Sequence, residues 1–173
     1  ESLKNYDKHA FLLGDILPRF IEEIGDGIDF VVLDTVHAMP GEILDFLCIL
    51  PMMKDGGMVC IHDTANNLIG KYKDAYCTKI LLDAVSGEKY YDFSSDTVNI
   101  GGFIVTEATR KNIANVFSSL SITWKYEPPL TELMKYRDWY KLHYDDECIS
   151  LFDCFWQMNH DVIMRDLRIN GRV

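Results

Sequence analysis

The sequence contains no run of about 18 apolar residues, the length that a transmembrane helix needs, and no signal peptide is evident. Its five cysteines are irregularly spaced and include no Cys-X-X-Cys pair, so we expect neither a disulfide framework nor a zinc site. This cysteine usage favours a reducing compartment, the cytoplasm. Positive charge is scarce too: 17 Lys and Arg against 27 Asp and Glu give a net charge of -10. So acidic a chain repels phosphate backbones, which argues against nucleic-acid binding.

Apolar and aromatic residues are plentiful, at 48% and 12% of the 173 residues. This composition predicts a folded chain with a substantial core. Within it, short continuous apolar runs alternate with segments whose apolar residues recur at helical spacing. The predicted strands are 10–14, 28–34 and 58–63, and the predicted helices are 16–24 and 40–53. Such alternation predicts parallel strands joined by right-handed crossovers, with strand 28–34 covered on both faces.

The second half of the sequence reads differently. It predicts a helix over 66–85, a strand over 99–107, a helix over 108–119 and a strand over 121–129. The two strands could form an antiparallel edge of the sheet. From 130 to 170 the pattern is helical and rich in Tyr, Trp and Phe. We therefore predict an α/β domain over 1–129 and a helical C-terminal extension over 130–173.

Polar residues follow the predicted strands directly. Gly14-Asp15 follows the first, Asp34 and then His37 follow the second, and Asp63 follows the third. Parallel strands end on one edge of a sheet, and ligands of open α/β sheets bind beyond that edge. The sequence thus predicts a polar site at this edge.

Three segments in this order resemble the second half of a class I S-adenosylmethionine-dependent methyltransferase. They are "LLGDIL" (12–17), "IDFVVLDTVH" (28–37) and "FLCILPMMKDGGMVCIHDT" (46–64). The branch they resemble most is that of the small-molecule O-methyltransferases. Residues 99–129 also resemble the antiparallel end of that Rossmann-like sheet. The family's glycine-rich first loop and the acidic end of its second strand have no counterpart here. The resemblance thus implies the C-terminal part of such a domain, without its first strands.

The resemblance also implies roles for individual residues. Gly14 and Asp15 would touch the adenine of S-adenosylmethionine, and Asp34 would line the cofactor site. His37 would be a catalytic base or an anchor for a small-molecule or sugar substrate, methylated on oxygen. Asp34 and Asp63 could hold Mg²⁺, which prefers oxygen ligands. The family's third metal ligand, an Asn, is replaced by Thr64.

Simpler interpretations of the same residues stay open. Asp34 and Asp15 could cap the turns or helices that follow them. His37 could be a surface histidine that fixes the loop before Pro40. Strand alternation predicts that His62 points to the face opposite Asp63, where it would be packed or capping.

Two other functions also remain open for the whole chain. Without the glycine-rich loop, it could be an inactive binding or assembly domain, with its aromatic C-terminal helices forming a homodimer. It could instead be a phosphate-handling hydrolase that uses Asp34 and Asp63 around Mg²⁺. The absence of a phosphate-binding glycine loop from the sequence ranks this last.

Overall fold

A computed structural model describes residues 10–68, 72–94 and 99–169 of the chain. Within these ranges four strands form one sheet in the order β1-β2-β4-β3. The strands are β1 (Ile28–Leu33), β2 (Met53–His62), β3 (Lys89–Tyr91) and β4 (Ile100–Ile104). β1 is parallel to β2, whereas β4 is antiparallel to both β2 and β3. The predicted α/β class is confirmed, and the sheet is open and mixed.

The helices of the described residues fall mainly between the first strands and after the last one. They are α1 (Ile21–Ile24), α2 (Gly41–Ile49), α3 (Cys77–Ala84), α4 (Glu107–Lys111), α5 (Ala114–Ser119), α6 (Leu130–His143) and α7 (Asp146–Ile169). Short 3-10 turns that begin with a Leu-Pro pair precede α1 and follow α2. None of the helices in the described ranges is both long enough and apolar enough to cross a membrane.

Two predicted strands are wrong. Residues 10–14 form no strand, and the side chains of Phe11 and Leu13 are 67% and 81% exposed. Residues 121–129 are irregular as well, and β4 pairs with β2 and β3 instead of with them. One reason is a long-range hydrogen bond: the backbone N–H of Trp124 donates to Asn159 Oδ1 on α7 at 2.8 Å. Another is that Pro128 and Pro129 have no N–H to donate to a ladder.

All four helices predicted before residue 120 are shorter than expected or divided. In 16–24 only α1 is an α-helix, and in 40–53 α2 ends at Ile49. The stretch 66–85 contains a 3-10 turn at Asn66–Leu68 and then α3, while its Ile69 lies outside the described residues. The stretch 108–119 divides into α4 and α5. The termini of the predicted domains, 1–9 and 170–173, also lie outside the described part.

The aromatic helices are anchored on α2 by hydrogen bonds to its backbone. Tyr140 Oη donates to Leu44 O at 2.7 Å, Tyr144 Oη donates to Leu47 O at 2.6 Å, and Trp139 Nε1 donates to Cys48 O at 2.9 Å. A buried Tyr or Trp needs a partner for its polar atom. Leu47 and Cys48 lie in the last turn of α2, where carbonyls lack helical partners, and the Leu44 carbonyl lies inside the helix. The aromatic residues of α6 thus join the same core as α2.

One face of the sheet is packed and the other is open. Phe103 of β4 is buried and meets Phe46 of α2 edge-to-face, with ring centroids 5.5 Å apart. On the opposite face, Phe30 and Val32 of β1 are 57% and 54% exposed. The prediction that strand 28–34 is covered on both faces is therefore wrong. β1 pairs only with β2 among the described residues, so it is an edge strand.

Candidate functional site

The ends of the parallel strands β1 and β2 bring three predicted site residues together. His37 Nε2 lies 3.1 Å from Asp63 Oδ2 and 3.7 Å from Asp34 Oδ1. One ligand atom from each of the three residues lies within 4.8 Å of the others, an arrangement that could hold a metal ion. We call these three residues the strand-end triad. Asp34 is half exposed, whereas His37 and Asp63 are mostly buried.

Asp63 is the most firmly held member of the triad. Its φ of 60° is a left-handed conformation that Asp adopts more readily than most residues. Asn99 Nδ2 donates to its Oδ1 at 2.6 Å, and Asn66 Nδ2 donates to its Oδ2 at 2.8 Å. Its backbone carbonyl accepts a hydrogen bond from Thr78 Oγ1 at 3.0 Å. These contacts from three segments fix the carboxylate at the strand end.

His37 is oriented by a buried carboxylate that sequence reasoning missed. Its Nδ1 lies 2.8 Å from Oε1 of Glu42, whose side chain is fully buried in the first turn of α2. An ionised carboxylate only accepts hydrogen bonds, so this contact puts a proton on Nδ1 and turns Nε2 toward the two aspartates. The backbone of the same loop is tied down because Cys77 N donates to His37 O at 2.9 Å.

The environment of Glu42 is unfavourable for a charge. Burial raises the pKa of its carboxyl, and the contact with His37 opposes that rise. Its Oε2 has no hydrogen-bond partner among the N–H and O–H groups of the described residues. The thiol of Cys77 lies beside it, and burial together with the Glu42 charge raises the pKa of that thiol. Glu42 is thus a carboxylate whose main polar contact is His37.

His62 also belongs to this edge, contrary to the prediction that it points away from Asp63. Its Nδ1 lies 3.3 Å from Asp34 Oδ1 and 3.4 Å from Asp63 Oδ1. At the last residue of a strand the side chain is free to lean over the sheet end, so alternation no longer separates it from its neighbour. Two imidazoles therefore contact the same pair of carboxylates.

A cleft of about 760 Å³ lies along the free edge of β1, between that strand, the segment around α1, α2 and α6. Asp15 is in its wall, as are Thr35 and Val36, which follow Asp34 directly. Asp15 accepts a hydrogen bond from Ile16 N at 2.8 Å and pairs with Arg19 at 2.8 Å. Gly14, before it, has a φ of 88°, a conformation that suits glycine.

Among the polar residues of the mostly apolar cleft, Asp45 makes two side-chain hydrogen bonds. Asp45 of α2 accepts hydrogen bonds from Tyr136 Oη at 2.7 Å and from Thr35 Oγ1 at 3.0 Å. Burial raises the pKa of Asp45, and its charge together with burial raises the pKa of Tyr136. Nothing in the sequence singles out Asp45, because an acid within a helix is ordinarily a solvated one.

Comparison with known proteins does not identify the function of this site. No protein family, no curated protein and no solved structure matches the chain. The residues of the site and their arrangement are therefore the basis for any functional conclusion.

Proposed function

We propose that the chain is part of an S-adenosylmethionine-dependent methyltransferase that methylates an oxygen of a small molecule or sugar. The observation that carries this proposal is the strand-end triad, in which Asp34, His37 and Asp63 converge from two adjacent parallel strands. The mixed sheet, in which β4 runs antiparallel to both of its neighbours, supports it because the resemblance implies an antiparallel edge. The five free cysteines fit a cytoplasmic location.

The volume and lining of the cleft beside β1 suit S-adenosylmethionine. Small-molecule sites in proteins commonly enclose about 300–1,000 Å³ and are mostly apolar with a few polar groups. Asp15 in the cleft wall and the adjacent Gly14 would hold the adenine end. Asp34, directly before the wall residues Thr35 and Val36, would lie next to the reacting end. S-adenosylmethionine supplies an activated methyl group.

The chain itself would supply proton transfer and positioning. His37 would accept the proton of the acceptor hydroxyl at Nε2 while Glu42 holds its Nδ1 at 2.8 Å. Asp34 and Asp63 would stabilise the resulting imidazolium, since both lie within 3.7 Å of Nε2. In the form that the resemblance implies, these two aspartates would also hold Mg²⁺ through oxygen ligands.

The test is calorimetric titration of the 173-residue chain with S-adenosylhomocysteine, with and without Mg²⁺, followed by methyl-transfer assays on hydroxylated small molecules. We expect binding in the micromolar range, weakened by Asp15→Ala. His37→Gln should lower the transfer rate about 10²–10⁴-fold, the usual contribution of a general base. His160→Gln on α7 is the matched control, because His160 pairs with Glu127 instead of the triad. Failure to bind the cofactor product at millimolar concentration would contradict the proposal.

The open face of the sheet favours a second function, that of a binding or assembly domain. Phe30, Val32, Met58 and Ile100 are exposed apolar side chains on this face, beside the unpaired edge of β1. Apolar faces of this kind are ordinarily covered by another element. Our prediction of a homodimer through the C-terminal aromatic helices stays a prediction, although many of those aromatic rings pack inside the chain.

Sedimentation over a range of concentrations distinguishes these surfaces. If the open face mediates association, Phe30→Glu should abolish it, whereas Leu142→Glu, at an exposed position of α6, should leave it unchanged. The reverse result would assign association to the C-terminal helices. A chain that stays monomeric and binds S-adenosylhomocysteine would count against the assembly function.

A further inference from the structure

The strand-end triad and its buried neighbour concentrate negative charge without a permanent cation. The carboxylates of Asp34, Asp63 and Glu42 all surround His37. Within the described ranges, none of the three forms an ion pair with Lys or Arg, and their charged partners are histidines. Asp34, Asp63 and Glu42 carry three negative charges when ionised, and a divalent cation beside the imidazole would compensate part of that charge.

The separations between the polar atoms suit ligands of one small metal ion. Bonds of about 2.1 Å to nitrogen and oxygen place adjacent ligand atoms about 3.0 Å apart in octahedral and 3.4 Å apart in tetrahedral geometry. His37 Nε2 and Asp63 Oδ2 are 3.1 Å apart, within that range. Asp34 Oδ1, at 3.7 Å from Nε2, belongs to a half-exposed side chain with room to move inward.

Glu42 supplies an observation that is independent of the cluster's own spacing. A carboxylate bonded to the far nitrogen of an imidazole fixes the tautomer and increases the basicity of the other nitrogen, the arrangement found behind metal-bound histidines. Glu42 does this from a fully buried position, and its Oε2 accepts no hydrogen bond from an N–H or O–H group of the described residues. Such a costly burial is explained if His37 Nε2 donates its lone pair to a cation.

We propose that Asp34, His37 and Asp63 form a metal site in which His37 binds through Nε2, and that this site selects a transition-metal dication such as Mn²⁺ over Mg²⁺. Imidazole nitrogen suits transition metals, whereas Mg²⁺ prefers oxygen ligands and retained water. Asn99 and Asn66 hold the Asp63 oxygens but leave lone pairs on them for a metal. The site differs from a magnesium site on two aspartates because His37 is a ligand. Its Nε2 lone pair would then not accept a proton, so this site replaces the base role given to His37 in the proposed function.

The metal site can be tested without S-adenosylmethionine, so its failure is separable from failure of the methyltransferase proposal. The metal-free 173-residue chain is titrated with MnCl₂, and the electron paramagnetic resonance signal of free Mn²⁺ measures how much stays unbound. A second titration adds MgCl₂ as a competitor. We expect Mn²⁺ to bind at least about tenfold more tightly than Mg²⁺. Electron spin echo spectra of bound Mn²⁺ should show ¹⁴N modulation from one imidazole.

Two histidine variants test whether His37 supplies the nitrogen that binds Mn²⁺. His37→Asn should remove both the ¹⁴N modulation and the preference for Mn²⁺. His160→Gln on α7 is the matched control, since His160 pairs with Glu127 and lies outside the strand ends; it should keep both. Because His37→Asn leaves Glu42 without its partner, the double variant His37→Asn/Glu42→Gln serves if the single variant does not fold. Equal affinities, Mn²⁺ bound without nitrogen modulation, or no binding would each overturn the proposal.

Discussion

The two faces of the sheet have similar apolar side chains but different surroundings. On the packed face, Val59, Ile61 and Phe103 are completely buried beneath α2 and α3. On the open face, Met58 lies across from Phe30, and Val32 lies across from Cys60 in the next strand. An apolar strand pattern therefore indicates what a strand can bury, and it does not indicate what covers the strand.

The largest contrast should come from removing one phenylalanine ring from each face. Phe103→Ala should lower the free energy of unfolding by about 3–5 kcal/mol, because it leaves a cavity against Phe46. Phe30→Ala, with a ring that is 57% exposed, should cost less than about 1 kcal/mol. Urea unfolding of both variants measures the two costs. Equal losses would mean that the open face is covered in solution.

A smaller contrast concerns two tyrosine hydroxyls. Tyr140 is fully buried and donates to Leu44 O at 2.7 Å, so Tyr140→Phe should cost about 1–2 kcal/mol of unfolding free energy. Tyr90, on the open face, contacts Glu88 at 3.2 Å in an exposed position. Tyr90→Phe should change the unfolding free energy by less than about 0.5 kcal/mol. A loss at Tyr90 as large as at Tyr140 would contradict the description of the faces.

Local sequence pattern predicted part of the fold and site correctly for identifiable reasons. The apolar runs before Asp34 and Asp63 are strands β1 and β2, which are parallel neighbours as expected, so the acids at their ends meet. The helical spacing from 130 onward corresponds to α6 and α7. These features depend on residues close together in the chain, where periodicity is informative.

The features that sequence reasoning missed depend on distant pairing. Asn99 reaches Asp63 because β4 is antiparallel to β2 and places Ile100 opposite His62, a register that no local signal specifies. Glu42 looks like an ordinary acid in the first turn of a helix, and its burial follows from tertiary packing. The predicted strand 121–129 does not form because the backbone N–H of Trp124 donates to Asn159 on α7 instead of to a neighbouring strand.

A third prediction uses Asp45, the half-buried acid of α2 in the wall of the cleft. The folded-state pKa of Asp45 is raised by burial, so the folded chain binds this proton more tightly than the unfolded chain does. The stabilisation is complete below the ordinary Asp pKa and is lost as pH rises through the folded value. We expect the unfolding free energy to fall with pH by at most about 1.4 kcal/mol per unit from this one group.

Asp45→Asn should remove that contribution, which urea unfolding at a series of pH values can measure. Glu42, whose pKa is also raised, contributes in the same direction in both proteins and therefore cancels in the difference. An unchanged pH dependence in the variant would show that Asp45 is as well solvated in the folded chain as in the unfolded one.

A single hydroxyl placed on each face is the sharpest test of the open face. Val32→Thr exchanges a methyl for a hydroxyl of similar size at a side chain that is 54% exposed, so the unfolding free energy should change by less than about 0.5 kcal/mol. The same exchange at Val59, which is fully buried in the neighbouring strand, should cost about 1–3 kcal/mol because the hydroxyl loses its water. If Val32→Thr were as costly as Val59→Thr, the hydroxyl at position 32 would have to be desolvated in the folded chain. The open face would then be covered in solution, and the edge strand β1 would be an interior one.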